Sequence, residues 1–491
     1  VISANFIVPI LQKLKSNYSL DVRALSLMRV LISVILLVDL IIRATSLTAH
    51  YTGEGVLPYP EAALAFWRNG YFSLFQFSDS FAYAAFLFIL SGIIYGCLLF
   101  GYRTRIFSVL AWLMLLSIQN RNHAVLQCGD DVLRLVLFWG IFLPWGNFYS
   151  VDAKRYPRMQ SDVKYFDVPG VAYVLLIFSV YFFTGILKDS PEWDSREGSA
   201  YYYALSLDQM TWPLGKMLLP HIGLLKFLTI TAKWVEVLTP FLLFIPFKNA
   251  SFRMLAIFIL CSFQLAIALT LFVGLFWIIN IFSLVGLLSP RFMDKFEKLF
   301  KIKRPEPKED DLPNPAEFIA QNYYFRVIRN CLVFFCMALC LIWNIGNIEG
   351  SGLRVSDSVF KFGFMLRLDQ RWNMFAPNVV KNDGWFVMEG ITPGKEHIDI
   401  NRDGTPVSFE KPPSVLKYIK DDRWRKYQEN LVIPDNLFMQ GYYCNYLIRD
   451  WNRAHSDDPI DTLNLVYMKE FTLPPGQSSE VKKEVLCKCW K

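Results

Sequence analysis

Residues 24–47 read ALSLMRVLISVILLVDLIIRATSL. As a helix, this run is long enough to cross the roughly 30 Å hydrocarbon core of a bilayer. It nevertheless carries Arg29, Asp39 and Arg43 inside it. A charge near mid-helix costs about 2.5–3.5 kcal/mol on insertion scales, so such residues face the interior of a bundle and not lipid. The run therefore reads as one member of a polytopic helical bundle.

Further apolar runs recur at Phe81 to Tyr102, Arg105 to Gln119, Val132 to Phe148, Gly170 to Lys188, Ile222 to Phe247, Phe252 to Pro290 and Ile328 to Ile348. The run from Phe252 is too long for one span and divides near Gly274, which brings the expected number of crossings to nine. A chain of 491 residues with 54% hydrophobic and 16% aromatic residues fits this reading. Val1 to Leu20 has no uniform apolar core and no small-residue cleavage site, so the first helix is expected to act as the insertion signal.

The net charge of +7 does not point to nucleic acid, because the basic residues fall in alternate short loops and not in one patch. Lys13, Lys15 and Arg23 precede the first span, Arg103 and Arg105 follow the second, and Lys154, Arg155, Arg158 and Lys164 follow the fourth. Lys248 and Arg253 follow the sixth, and a cluster from Arg291 to Arg304 follows the eighth. With nine spans all of these lie on one side, which the positive-inside rule makes cytoplasmic. The expected location is thus a bacterial cytoplasmic membrane, with the N-terminus inside and everything after Asn347 outside.

Four segments follow: a transmembrane module over 1–290, a charged, proline-spaced cytoplasmic linker over 291–323, a last transmembrane helix over 324–348 and an extracytoplasmic domain over 349–491. The fold class is an all-α polytopic membrane bundle carrying a C-terminal α+β domain. In that domain IDINRDGTPVSF predicts a hairpin with Asp403-Gly404 at its turn, and Val415 to Leu431 predicts a helix. Cys444, Cys487 and Cys489 lie where disulfides can form, in a pairing the sequence leaves open. The aromatic stretches Glu61 to Phe77 and Ser199 to Leu219 are too short to span and suit interfacial or re-entrant helices roofing a cavity.

Three groups of residues could carry chemistry. Intramembrane charges form the first: Arg29, Asp39, Arg43, Arg134, Lys233 and Glu236. Asp39 with Arg43 at i,i+4, and Lys233 with Glu236 at i,i+3, each share a helical face and can neutralise locally, the alternative being a polar substrate chamber. Asn120, Asn122, His123, Asp130 and Asp131 form the second, in the turn SIQNRNHAVLQCGDD. The two aspartates suit the first turn of a helix, where carboxylates cap free amides; alternatively the group lines a polar pocket. The third is YFFTGILKDSPEW, residues 181–193. Its Lys188 stands at a membrane boundary with Trp193 close by, either as a snorkelling anchor or as an amine desolvated enough to serve as a base. Five scattered histidines and the absence of metal-ligand spacing, phosphate loop or dinucleotide fingerprint make a metal unexpected.

The order Arg29, QNRN and GDD before the fourth span, Ser150-Val151-Asp152 after it, GILK with tryptophan five residues on, and RWNMFAP at Arg371 to Pro377 resembles the HTTM-domain proteins. That membrane family includes the vitamin K-dependent γ-glutamyl carboxylases. The resemblance implies that Lys188 is the counterpart of the lysine that deprotonates reduced vitamin K, in a reaction that also consumes oxygen and carbon dioxide. It further implies a reduced-quinone cofactor and a secreted or membrane polypeptide partner. The chain departs from the carboxylases at Cys128 and Gly129, where they carry an asparagine-histidine pair, and at Leu187, where they carry a second lysine.

The expected function is thus an integral membrane enzyme with a lysine base acting on a lipid-soluble quinol or a secreted polypeptide at the outer face. The alternative is a non-catalytic scaffold or a maturation or export factor. A transporter is disfavoured, since no inverted repeat or pair of broken helices is apparent.

Overall fold

The computed structural model describes residues 12–61, 63–160, 162–302, 323–353, 356–477 and 479–491. Its longer helices are α1 (Val22–Ala44), α2 (Phe81–Phe100), α3 (Thr104–Arg121), α4 (Cys128–Gly140), α5 (Val168–Ile186), α6 (Ile222–Leu238), α7 (Asn249–Thr270), α8 (Phe276–Leu284), α9 (Pro290–Leu299), α10 (Tyr323–Gly346), α11 (Asp357–Met365), α12 (Asp422–Leu431) and α13 (Phe438–Ala454). Local chemistry sets several of their ends. Asp21 caps α1 by accepting from the Arg23 amide at 2.8 Å. Gly101 ends α2 in the left-handed region at φ 67°, where an added Cβ would lie 2.3 Å from Ser150 Cβ.

Six helical segments are long and apolar enough to cross a membrane, the mark of a multi-pass membrane protein: α1, α2, α5, α7, α10 and Ile222–Phe244, in which a 3₁₀ turn extends α6. Counting Phe276–Leu287 with Pro290–Leu299, a pair bent by 105°, makes seven. The nine expected crossings differ at three places. The apolar run of α3 stops short at Gln119, Asn120 and Arg121, α4 has only 13 residues, and α8 breaks into α9 at Ser289-Pro290. The linker expected over 291–323 begins as the amphipathic helix α9, and its residues 303–322 lie outside the described residues.

The C-terminal region is α+β. Strands β1 (Leu20–Asp21) and β2 (Lys164–Tyr165) make a small ladder in the bundle; a five-stranded antiparallel sheet holds β3 (Asn382–Ile391), β4 (His397–Asp399), β5 (Thr405–Pro406), β6 (Thr462–Phe471) and β7 (Lys482–Trp490), in the order β5-β4-β3-β6-β7. The β4–β5 hairpin turns at Asp403 and Gly404, both at positive φ, as its sequence predicts. A disulfide joins Cys444 on α13 to Cys489 on β7, leaving Cys487 free. By loop entropy, a 45-residue closure contributes about 4 kcal/mol.

Neither aromatic stretch forms one continuous helix. Glu61 to Phe77 forms short 3₁₀ turns, with Phe66 packing on Phe438 at 5.9 Å between ring centres. Ser199 to Leu219 gives two helices of 7 and 6 residues, with Leu205, Leu207 and Met210 packed on Leu271. A shared core of Ala49, Val56, Leu57 and Val125 with Trp424, Tyr427 and Leu431 holds the C-terminal domain on the bundle.

Buried beside that core is a closed ring of charge. Arg43 donates to Asp39 at 2.7 Å, to Asp130 at 2.6 Å and to the Tyr51 hydroxyl at 2.8 Å. Arg423, from α12, donates to Asp39 at 2.7 Å and to both oxygens of Asp130. Arg29 instead spends its donors on the backbone carbonyls of Trp145, Leu98, Leu99 and Tyr149.

Two outcomes follow from this packing. Arg423→Ala leaves two buried carboxylates with one arginine and is expected to cost about 3–5 kcal/mol of stability in detergent unfolding, a loss under about 1 kcal/mol refuting the network's role. Alkylation of the denatured, unreduced chain is expected to label Cys487 and to spare Cys444 and Cys489 until reductant is added; a mapped disulfide to Cys487 contradicts the pairing.

A candidate active site around Lys188

Helix α5 ends at Ile186, and the chain turns through Lys188 into a 3₁₀ turn, Pro191–Trp193, started by its proline. That turn brings the Trp193 ring over the Lys188 amine, with Nζ 4.7 Å from the ring centre. Lys188 is 4% exposed and donates to Glu236 Oε2 on α6, itself 5% exposed. An anchor would hold its ammonium in solvent; this one is buried and ion-paired. Gly185 makes the pairing possible, because a Cβ there would stand 2.6 Å from Val237 Cγ2 and 3.1 Å from Glu236 Cβ.

The expected Lys233–Glu236 pair does not form: Glu236 takes the lysine of the neighbouring helix, and Lys233 is half-buried. Spacing of i,i+3 permits a pair without requiring one. A buried carboxylate is better served by a buried ammonium than by one still in contact with water.

Trp193, which covers the amine, packs in an apolar cluster with Tyr203, Ala232, Tyr201, Phe263 and Phe375. Trp193 Nε1 donates to the Phe375 carbonyl at 2.9 Å, so RWNMFAP forms one wall of the site. Gln264 Nε2 lies 3.4 Å from the Tyr181 hydroxyl, and its Oε1 is buried without a hydrogen bond. A buried carboxylate that accepts directly from a buried amine can take or return a proton along that bond.

The residues expected to line one pocket fall into four bonding groups. Trp193 belongs with Lys188. Asp130 belongs to the buried charge ring and also caps α4, accepting from the Gln127 amide at 2.8 Å. Asn122 holds its own turn, accepting from Ala124 N at 3.1 Å and donating to the His50 carbonyl at 3.2 Å. Asn120, His123 and Asp131 gather at Arg367–Asp369, the segment just before RWNMFAP. Arg367 donates to Asn120 Oδ1 and lies 3.4 Å from His123 Nε2. Arg134 pairs with Asp131 at 2.8 Å and donates to Gln119 Oε1 and to the carbonyls of Arg367 and Asp369. His123 is stacked between Tyr71 and Phe66, and burial together with Arg367 and Arg134 pulls its imidazole well below the usual range, keeping it neutral.

Sequence reasoning missed Arg367, Arg423 and the Lys188–Glu236 partnership, all set by contacts hundreds or tens of residues apart. It also missed the carboxylates of Asp208, Asp383 and Glu470, whose oxygens lie within 4.8 Å of one another. Ammonium groups already meet this charge, since Lys411 reaches Asp208 at 2.6 Å and Glu470 at 2.5 Å and Lys216 reaches Asp208 at 2.5 Å. Asp383 is the poorly served member: its Oδ2 accepts from the Asp208 amide, but its Oδ1 is buried without a partner.

No family model, curated protein or solved structure matches this chain.

Burial, with the charge of Asp208 adding, lifts the Asp383 carboxyl from 3.8 to about 6. The folded state then holds a proton that the unfolded chain loses, so stability falls as pH rises between those two values and stays lower above them. Asp383→Asn removes this loss. The variant is expected to exceed the parent in stability by about 2–3 kcal/mol at neutral pH and to match it near pH 4, as followed by unfolding of the β-sheet. An equal difference at both pH values contradicts the assignment.

Proposed function

We propose that this chain is an integral membrane enzyme of the HTTM, γ-carboxylase-like type, in which Lys188 is the base that works on a lipid-soluble quinol. The observation that carries the reading is the amine of Lys188, buried under Trp193 and paired with Glu236. The order of sequence motifs supports it, and RWNMFAP adds its backbone carbonyl at Phe375 to the same wall.

The residues present suit a vitamin K-like reduced quinone. Tyr201 and Phe263, packed with Trp193, would offer aromatic faces to a planar ring, while Trp193 faces the Lys188 amine and Tyr203 the Lys381 amine at 4.4 Å. When bound, the quinol supplies an acidic hydroxyl and, with oxygen, a stronger base than any side chain. Glu236 prepares Lys188 for its part: transfer of one proton from Nζ to Oε2 turns a charged pair into a neutral amine and a neutral acid, which a dry site favours. The aromatic shell keeps water from competing for that proton. Because Cys128, Gly129 and Leu187 replace the carboxylases' asparagine, histidine and second lysine, the reading covers quinol deprotonation and not glutamate carboxylation.

The proposal puts the site at the outer face of a bacterial cytoplasmic membrane, with the N-terminus inside and the C-terminal domain outside. Two observations support this orientation. With the bent pair Phe276–Leu287 and Pro290–Leu299 counted as one crossing, seven spans put the residues before α1 and those after α10 on opposite sides, and α3 with α4, counted as a pair, leaves that parity unchanged. The Cys444–Cys489 disulfide suits an oxidising compartment.

The test is consumption of a reduced naphthoquinone by the purified full chain in lipid nanodiscs under oxygen. Lys188→Ala is expected to lower the rate at least 100-fold, the low end for loss of a general base. The paired Lys188→Met/Glu236→Gln variant leaves no buried charge alone and so separates chemistry from folding; it is expected to be equally inactive with an unchanged melting temperature. Turnover retained in either variant, or absent in the native protein, overturns the reading, the latter in favour of a non-catalytic maturation or export factor.

A further inference from the structure

A cavity lies apart from Lys188, where α2 ends and α3 begins, closed on its other side by the chain that follows α4. Its volume is about 350 Å³, in the range of small-ligand sites. Arg103, Arg105 and Arg155 line it, against a single carboxylate, Asp152. That carboxylate is already committed to the first turn of α3: Oδ1 accepts from the Arg103 amide at 2.9 Å, and Oδ2 from the Thr104 amide at 2.7 Å and hydroxyl at 2.8 Å.

The guanidiniums of Arg103 and Arg155 lie over the rings of Tyr102 and Tyr156, at 5.7 and 5.6 Å. Among the described residues neither pairs with a carboxylate. Two exposed arginines braced on aromatic rings beside a cavity leave planar donor forks open to a phosphate.

The position says which phosphate. Tyr102 follows the end of α2, one of the membrane-length helices, so the cavity stands at the depth of lipid headgroups. From it an exposed apolar strip runs up α3 through Ile106, Leu110 and Leu113, at the spacing of one helical face. A soluble anion has no use for that strip, whereas an acyl chain does.

We propose that this cavity binds the headgroup of an anionic phospholipid, with Arg103 and Arg155 on the phosphate and the lipid's tail along α3. The inference rests on the membrane reading of the helices and is independent of any chemistry at Lys188. Basic pockets between membrane helices hold acidic lipids in this manner.

Native mass spectrometry of the full chain, delipidated in detergent and titrated with phosphatidylglycerol or phosphatidylcholine, tests it. Expected is selective retention of phosphatidylglycerol, falling at least tenfold in Arg103→Gln/Arg155→Gln and unchanged in Lys298→Gln, a basic residue elsewhere on the molecule. Arg155→Gln alone, away from the α3 cap, is expected to lose at least threefold, which keeps the test valid if the double variant folds poorly. Equal retention of the two lipids, or retention unaffected by Arg155→Gln, overturns the proposal. Displacement of the lipid by millimolar inorganic phosphate also overturns it, because the site would then belong to a soluble anion.

Discussion

Asp39, Arg43, Asp130 and Arg423 form a ring of two acids and two bases with almost no access to water. Each charge would be strongly unfavourable alone in that place, and each is tolerated because two opposite charges touch it. The ring takes Asp39 and Arg43 from α1, Asp130 from α4 and Arg423 from the C-terminal domain. Assembly of the bundle and docking of the domain are therefore coupled, since neither part can bury its share of the charge without the other. The shared apolar core next to the ring adds area to the joint, but the ring sets its register, because charges must meet one another and apolar side chains need only meet something apolar.

The same constraint shapes the candidate site. Lys188, just past the end of α5, and Glu236 on α6 are brought within reach of each other by the close approach at Gly185, and the Phe375 carbonyl from the C-terminal segment fastens Trp193 above them. Arg367 and Asp369, only a few residues earlier in that segment, receive the α3–α4 turn. One stretch of chain just beyond α11 thus organises two polar groups on the bundle, and a change there would be felt in both.

Much of the architecture was legible in composition and periodicity. Long apolar runs announce membrane-length helices because the bilayer demands length and low polarity together, and the β4–β5 hairpin is written in Asp403-Gly404, whose backbone must enter the left-handed region. The number of such helices was not legible, because the apolar run of α3 ends in the buried polar residues Gln119, Asn120 and Arg121, and α4, only 13 residues long, is apolar because protein buries it. Hydropathy reports aversion to water and does not distinguish lipid from a protein interior. The candidate residues fared similarly. Asp39 and Arg43 pair as their i,i+4 spacing suggests, whereas Lys233 and Glu236, spaced as well for a pair, do not.

By itself the sequence determined the helical bundle, the α+β character of the C-terminal region, and the residues too polar for their surroundings to be without partners. It could name Lys188, Asp130 and His123 as unusual because local composition exposes a misplaced charge. Only the tertiary structure decided who answers each charge: Glu236 for Lys188, Arg423 for Asp130, Arg367 beside His123, and Cys489 for Cys444. The physical reason is that polarity is a property of one residue, while its compensation depends on distances of a few ångströms between segments that the chain order leaves far apart.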